Sequence, residues 1–176
     1  FIHALLEDRE GNIWMGTSMG VSVYDGRHFG TYTQEDGLAH NHVRVLLEDR
    51  HGNIWIGTLD GVSVYDGKRF RTYTQEDGLA ANFVHALLED RHGNIWMGTS
   101  MGVSVYDGRR LGTYTQEDGL ADNHVRALLE DRHGNIWIGT NSGVSCYMPP
   151  IQPTDSRPRI APPPQKMLLP IGEVRP

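Results

Sequence analysis

Apolar residues along this chain come in short bursts with a period of two, and no stretch sustains the 3.6-residue rhythm of an amphipathic helix. Residues 42–82 show the pattern in four runs: Val43–Glu48, Ile54–Thr58, Gly61–Tyr65 and Phe70–Thr74. β-branched and aromatic side chains dominate the runs and turn residues bound them, so each is predicted to be a β-strand. Asp49-Arg50-His51-Gly52-Asn53 supplies the first turn, Leu59-Asp60 ahead of Gly61 the second, and Asp66-Gly67 the third, a strong hairpin signal. The expectation is a four-stranded antiparallel meander and almost no helix. Strict alternation would place Val43, Val45 and Leu47 on one face and Leu46 on the other, with Trp55 opposite Ile54 and Ile56.

The meander recurs every 41 residues, marked by Trp14, Trp55, Trp96 and Trp137. Residues 1–41 and 83–123 agree at 36 of 41 positions, and 42–65 and 124–147 at 20 of 24. Alternate units are therefore the most alike. This points to recent duplication of an 82-residue block, with construction from a consensus repeat as the alternative. A sheet this small has two apolar faces and needs a sheet above and a sheet below. Radial stacking provides both, and the period suits a β-propeller; a solenoid has a shorter period and no such meander. The expected fold is all-β, a propeller of four blades at about 1–41, 42–82, 83–123 and 124–148. The last blade is incomplete, because the pattern stops at Tyr147-Met148 where Tyr-Asp-Gly would continue it. Pro149–Asp155 is a candidate outer edge strand, since proline is tolerated at an edge.

The motif GNIW-x-GT-x-x-GVSVYDG, preceded by V-x-x-LLEDR and followed by DGLA-x-N-x-V, resembles the two-component regulator propeller repeat. The resemblance covers residues 1–148 four times over. It fits better than the Trp-Asp repeat, because Met or Ile follows each tryptophan here. It implies a β-propeller sensor region, typically periplasmic or extracellular, of the kind carried by hybrid histidine kinases, many of which sense carbohydrates. Such sensors commonly have two rings of seven blades, an immunoglobulin-like domain, a membrane helix and a kinase, and those later parts are not among these 176 residues.

Composition narrows the partners. The repeats carry 12 basic and 20 acidic side chains, the tail 4 and 2, and the chain as a whole has a formal net charge of -6. That balance disfavours nucleic acid and anionic membrane. One cysteine excludes an internal disulfide, and no apolar run reaches the roughly 18 residues of a membrane span. All nine prolines lie from Pro149 onward, so residues 149–176 read as a proline-rich linker or tail, largely unstructured, with Met167-Leu168-Leu169 as the possible start of a next domain. The chain opens at Phe1 in mid-pattern and is expected to be part of something longer. Near-identical blades pack interchangeably, so self-association is expected, two chains completing one eight-bladed ring.

Candidate function lies where the copies differ. Most differences fall on the rim formed by the loops between second and third strands and the links between blades. Site candidates there are His42, Arg44, Phe83, His85, His124, Arg126, Asp60 and Asn141, a mixture suited to a saccharide or small-molecule ligand. The opposing expectation is that loop residues drift because nothing packs on them, leaving a structural or protein-interaction scaffold. Gly16-Thr17-Ser18-Met19-Gly20 matches a hydrolase elbow by letter, but its sister copy reads Gly57-Thr58-Leu59-Asp60-Gly61, and it sits in a hairpin link. Glu35-Asp36 and its repeats read as solvated turns rather than calcium ligands. His51, His92 and His133 read as separate turn residues rather than a zinc set. No enzyme activity, cofactor or metal is expected. The four tryptophans are expected in the blade core, and Cys146 as a small buried hydrophobe.

Overall fold

The computed structural model describes residues 1–149 and the backbone of Leu169–Pro170. Blade 1 holds β1 (Ile2–Glu7), β2 (Ile13–Thr17), β3 (Gly20–Tyr24) and β4 (Phe29–Tyr32). Blade 2 holds β5 (Val43–Glu48), β6 (Ile54–Thr58), β7 (Gly61–Tyr65) and β8 (Phe70–Tyr73). Blade 3 holds β9 (Val84–Glu89), β10 (Ile95–Thr99), β11 (Gly102–Tyr106) and β12 (Leu111–Tyr114). Blade 4 holds β13 (Val125–Glu130), β14 (Ile136–Thr140), β15 (Gly143–Tyr147) and the two-residue β16 (Leu169–Pro170). Every sheet is an antiparallel meander in chain order. The first strands β1, β5, β9 and β13 lie side by side in sequence order, so they are the inner strands.

Two differences from the sequence reading concern strand ends. The fourth strand of blade 2 stops at Tyr73, because Thr74 caps a 3₁₀ turn at Gln75–Asp77: the Thr74 side chain accepts from the Glu76 N–H, and Asp77 accepts from the Thr74 N–H. The fourth position in blade 4 is taken by Leu169–Pro170, which pair with Val144 and Gly143. So Leu169 is an edge-strand residue, whereas the sequence reading had it opening a next domain. Most of the candidate edge segment Pro149–Asp155, and most of the tail, lie outside the described residues.

A third difference changes which face the side chains occupy. Val43 pairs with Thr58 and Val45 with Gly57, so Arg44 is an extra residue in its strand, a β-bulge. The same shift falls at His3, His85 and Arg126. A bulge resets the alternation. Val43 therefore faces back to blade 1 with Leu46, Ile54 and Ile56, while Val45, Leu47 and Trp55 face forward to blade 3.

The core is a series of inter-blade layers. Trp14 lies against Tyr32 of its own blade and Tyr65 of the next, with ring centroids 6.4 and 5.8 Å away. Trp55 repeats this with Tyr73 and Tyr106, and Trp96 with Tyr114 and Tyr147. Close approach depends on glycine. A Cβ on Gly98 would stand 2.7 Å from Cγ1 of Val125 in the next blade, and Gly16 has the same relation to Val43. At the loop, Gly61 has φ +123, and a Cβ there would meet the Tyr73 carbonyl oxygen at 2.6 Å.

Each tryptophan is also held at its polar end. The Asp49 carboxylate accepts from the His51 and Asn53 backbone N–H groups, from Asn53 Nδ2 and from Trp55 Nε1, all at 2.9 Å. Burial alone would raise the Asp49 carboxyl, but the bonds from Trp55 and Asn53 outweigh it and hold the group below the usual range. Across blades, Arg50 Nε donates to Glu89 Oε1, the Arg50 N–H to Glu89 Oε2 and Nη2 to the Asp90 carbonyl. Arg9 with Glu48 and Arg91 with Glu130 repeat the ladder. This rim is therefore committed to holding blades together. Truncating the layer, Trp55→Ala, is expected to destabilise the chain by about 3–5 kcal/mol in chemical denaturation; a loss under about 1 kcal/mol would show that the layer is not packed this way.

Candidate functional site

The opposite rim is built by three features of local structure. The β2–β3 type loops turn at Thr-x-x-Gly, where the Thr58 hydroxyl donates to the Gly61 carbonyl and accepts from the Asp60 N–H. The link into the next blade is pinned to that loop by the Gly61 N–H, which donates to the Asn82 carbonyl at 2.7 Å. The bulge then follows at the start of the inner strand. A bulge bends its strand and re-aims the extra residue, and bulges are enriched next to functional sites. In all four blades that extra residue belongs to the variable set: His3, Arg44, His85 and Arg126.

These side chains meet their neighbours across the blade boundaries. His3 stacks on His42 of blade 2 with centroids 4.6 Å apart. The Arg44 guanidinium lies over the Phe83 ring of blade 3 at 5.8 Å. Phe83 packs on His85 at 4.2 Å, and His85 on His124 of blade 4 at 4.7 Å. Arg126 Nε donates to Asn141 Oδ1 at 2.9 Å. The structure thus places seven of the eight candidates in three contact groups: Arg44, Phe83, His85 and His124 as one chain, Arg126 with Asn141 as another, and His42 with the non-candidate His3. Asp60 stands in the loop layer, where it accepts from Asn82 Nδ2 at 2.9 Å.

The electrostatics of this inner rim are one-sided. Burial depresses His85 first, and His124, Arg126 and Arg44 add to it, so that the imidazole is pushed down to about 4. Burial also lowers His42, with help from His3, Arg44, His40 and the N-terminal ammonium. Nε2 of His42, His85 and His124 is buried with no hydrogen-bond partner. Asp122 is already engaged, accepting from Ser142 Oγ and the His124 N–H at 2.7 Å each.

Several features were not drawn from the sequence. The bulge was hidden because Val43-Arg44-Val45 reads as plain alternation. His3 was not singled out as a candidate, although its spacing of 41 from Arg44 pointed to it. The Arg–Glu ladder was signalled by the repeated LLEDR, but its partners lie 39 residues apart, and only the blade geometry unites them. The lettered elbow at Gly16–Gly20 is a hairpin loop here, with Met19 exposed.

The sequence profile described as two component regulator propeller matches residues 1–19, 37–60, 78–101 and 119–142. Each of the last three windows runs from the inter-blade link through the bulged strand to the next rim loop. Among solved structures, the chain is similar to the extracellular domain of the hybrid two-component system BT3049 from B. thetaiotaomicron, at 31% identity and a TM-score of 0.76, over 84% of this chain and 21% of that one. The extracellular domain of BT4673 from the same organism gives 23% identity and a TM-score of 0.74, over 84% and 23%. Virginiamycin B lyase from Staphylococcus aureus gives 14% identity and 0.66, over 88% and 57%. The latter two likenesses are of fold alone. The chain spans about a fifth of the two sensor domains. No curated protein matches it.

The rim predicts a pH dependence. A histidine protonated less readily in the folded chain favours unfolding as it gains its proton. Stability should be full above the ordinary 6.5 and fall as pH drops toward about 4. The direct check is the His85 ring resonance by NMR, expected to titrate near 4; a midpoint near 6.5 would show the ring to be solvated and free of the Arg44–Arg126 field.

Proposed function

The chain belongs to the two-component regulator propeller family, and from that premise we propose that it is a non-enzymatic ligand-sensing module that binds a saccharide on the bulged rim. The observation that supports this most is that the four bulges deliver the residues that differ between otherwise repeated blades. A scaffold that only had to stack would have no need of an extra, re-aimed residue at the same inner position in every blade. Arg, His and Phe in contact offer what sugars use: flat apolar faces for the ring and donors for hydroxyls. In this reading the site is His42, Arg44, Phe83, His85, His124 and Arg126, with Asp60 and Asn141 shaping the loops. The propeller is 1–148 with Leu169–Pro170 as the outer strand of blade 4, and the rest of 149–176 serves as a linker. Periplasmic or extracellular placement is supported by the similar domain of BT3049, which is extracellular.

A second reading, an interaction scaffold that associates with itself, has its own observation. Ile2 is 61% exposed, whereas its counterparts Val43, Val84 and Val125 are at 0%. Leu5 and Phe29 on the same face are exposed too. At the other end Leu129 is exposed, and a Cβ on Gly139 meets only its own blade, at Ala127. These two faces are the halves of the layer that packs three times inside the chain, so a second copy would supply the missing half of each. Light scattering on a sizing column is expected to give twice the 19.7 kDa chain mass, and Gly139→Ala should shift it toward the monomer. A monomer at all concentrations would exclude this reading.

The sensing reading is tested by thermal-shift screening of neutral and acidic mono- and disaccharides. At least one is expected to raise the melting temperature of the chain and to lose that effect in the double variant His42→Ala, Arg44→Ala. A shift that survives the double variant unchanged would put the ligand elsewhere.

A further inference from the structure

We propose that the bulged rim is built for an anionic ligand group, a carboxylate or sulfate carried on the saccharide; this rests on the sensing reading above and names its ligand class. Two charges on this rim go unanswered. Among the described residues, the five ion pairs join Arg9 to Glu48, Arg50 to Glu89, Arg91 to Glu130, Arg69 to Asp66 and His28 to Asp25. Neither Arg44 nor Arg126 is in any of them. Arg44 has an aromatic face beneath it, and Arg126 a neutral amide oxygen beside it. Both are bulge residues, set on the inner strands on either side of blade 3, and both act on His85 between them.

The groups that face His85 are Arg44 from β5, Phe83 from its own blade, and His124 and Arg126 from blade 4, and no carboxylate contributes to its environment. The acids of this rim are elsewhere or occupied. Asp122 is bound to Ser142 and the His124 N–H, and Asp60 to Asn82. The acidic pairs Glu35-Asp36, Glu76-Asp77 and Glu117-Asp118 lie in the 3₁₀ turns that follow the outer strands, at the far end of each link. On this rim the acidic pairs thus stand at the outer end of each link and the bulge arginines at the inner end. At physiological ionic strength a Debye length of about 8 Å limits the reach of the exposed outer collar; the half-buried Arg44 is less screened at contact with a ligand than the exposed Arg126. Guanidinium binds carboxylate and sulfate through paired N–H donors, and Arg44 and Arg126, neither of them in an ion pair, stand on either side of His85 where such a group would meet them.

Linkage gives a signature that a neutral sugar cannot produce. An anion beside His85 favours the imidazolium, so it must raise the His85 midpoint from about 4, and affinity must rise as pH falls through that raised midpoint. A sulfated probe keeps its charge over this range.

The experiment uses three probes on the full chain: digalacturonate, a monosulfated disaccharide and neutral digalactose. Both charged probes are expected to bind at pH 7 at least about 10-fold more tightly than digalactose, and Arg44→Gln and Arg126→Gln each to lose about 10-fold for them, the scale of a charge-assisted bond. Arg109→Gln, in an outer turn, serves as the control and should change nothing. The His85 resonance should move to a higher midpoint with the sulfated probe. Equal binding of all three probes, lost in His42→Ala, Arg44→Ala, would overturn the anion assignment while leaving the sensing rim in place. Charged probes that bind equally to wild type and to both Arg→Gln variants would overturn rim binding as well. No binding by any probe, with the His85 midpoint unmoved, would overturn the anion assignment, and the wider saccharide screen would then decide the sensing reading alone.

Discussion

Blade 1 can close on blade 2, and each blade on the next, because Gly16, Gly57 and Gly98 have no side chain where Val43, Val84 and Val125 arrive. That contact brings adjacent inner strands close enough for the larger residues to form a layer: tryptophan from one blade, tyrosine from both, isoleucine from the next. Each layer buries one face of one sheet and the opposite face of its neighbour, so no blade has an independent core. The chain is a series of shared interfaces, in the manner of repeat proteins whose stability resides in nearest-neighbour contacts.

The two rims divide the remaining work. On one, the Asp–Trp bonds fix the turn within each blade, and the Arg–Glu ladder ties blade to blade with charge-assisted contacts, leaving little free for a ligand. On the other, threonine and glycine shape the loops, and the bulge lifts one residue per blade out of the ladder. Because packing and registry are secured by the layer and the first rim, the bulged residue is free to vary without cost to the fold. It does vary, between histidine and arginine, on alternate blades.

The fold was largely legible in the sequence. A period of 41 residues, four alternating runs per unit and turn residues between them determined strand count, order and most strand ends. Val43–Glu48, Ile54–Thr58 and Gly61–Tyr65 were read with the bounds they have. Thr74 was not, because a capping threonine and a strand threonine look alike in a β-rich text. The bulge was invisible for a deeper reason: pairing register is a property of two strands, and alternation within one strand cannot reveal an extra residue. The site was half legible. Variation among the copies pointed to the bulged rim and to Arg44, Phe83, His85 and His124, which do meet there. It did not show that they meet across blade boundaries, nor that His3 belongs with them, since that depends on how far one blade is turned from the next.

Blades are coupled through the glycine–valine contact, and the layer, the ladder and the ordering of the rim all follow from it. The most direct test is a double-mutant cycle on Gly98→Ala and Val125→Ala, residues of different blades, read by chemical denaturation. Gly98→Ala alone should destabilise the chain by about 1–3 kcal/mol through overpacking. The same change on a Val125→Ala background should cost markedly less, with a coupling of about 1 kcal/mol or more. Additive effects would mean that the two residues do not meet, and that the blades are not stacked as described.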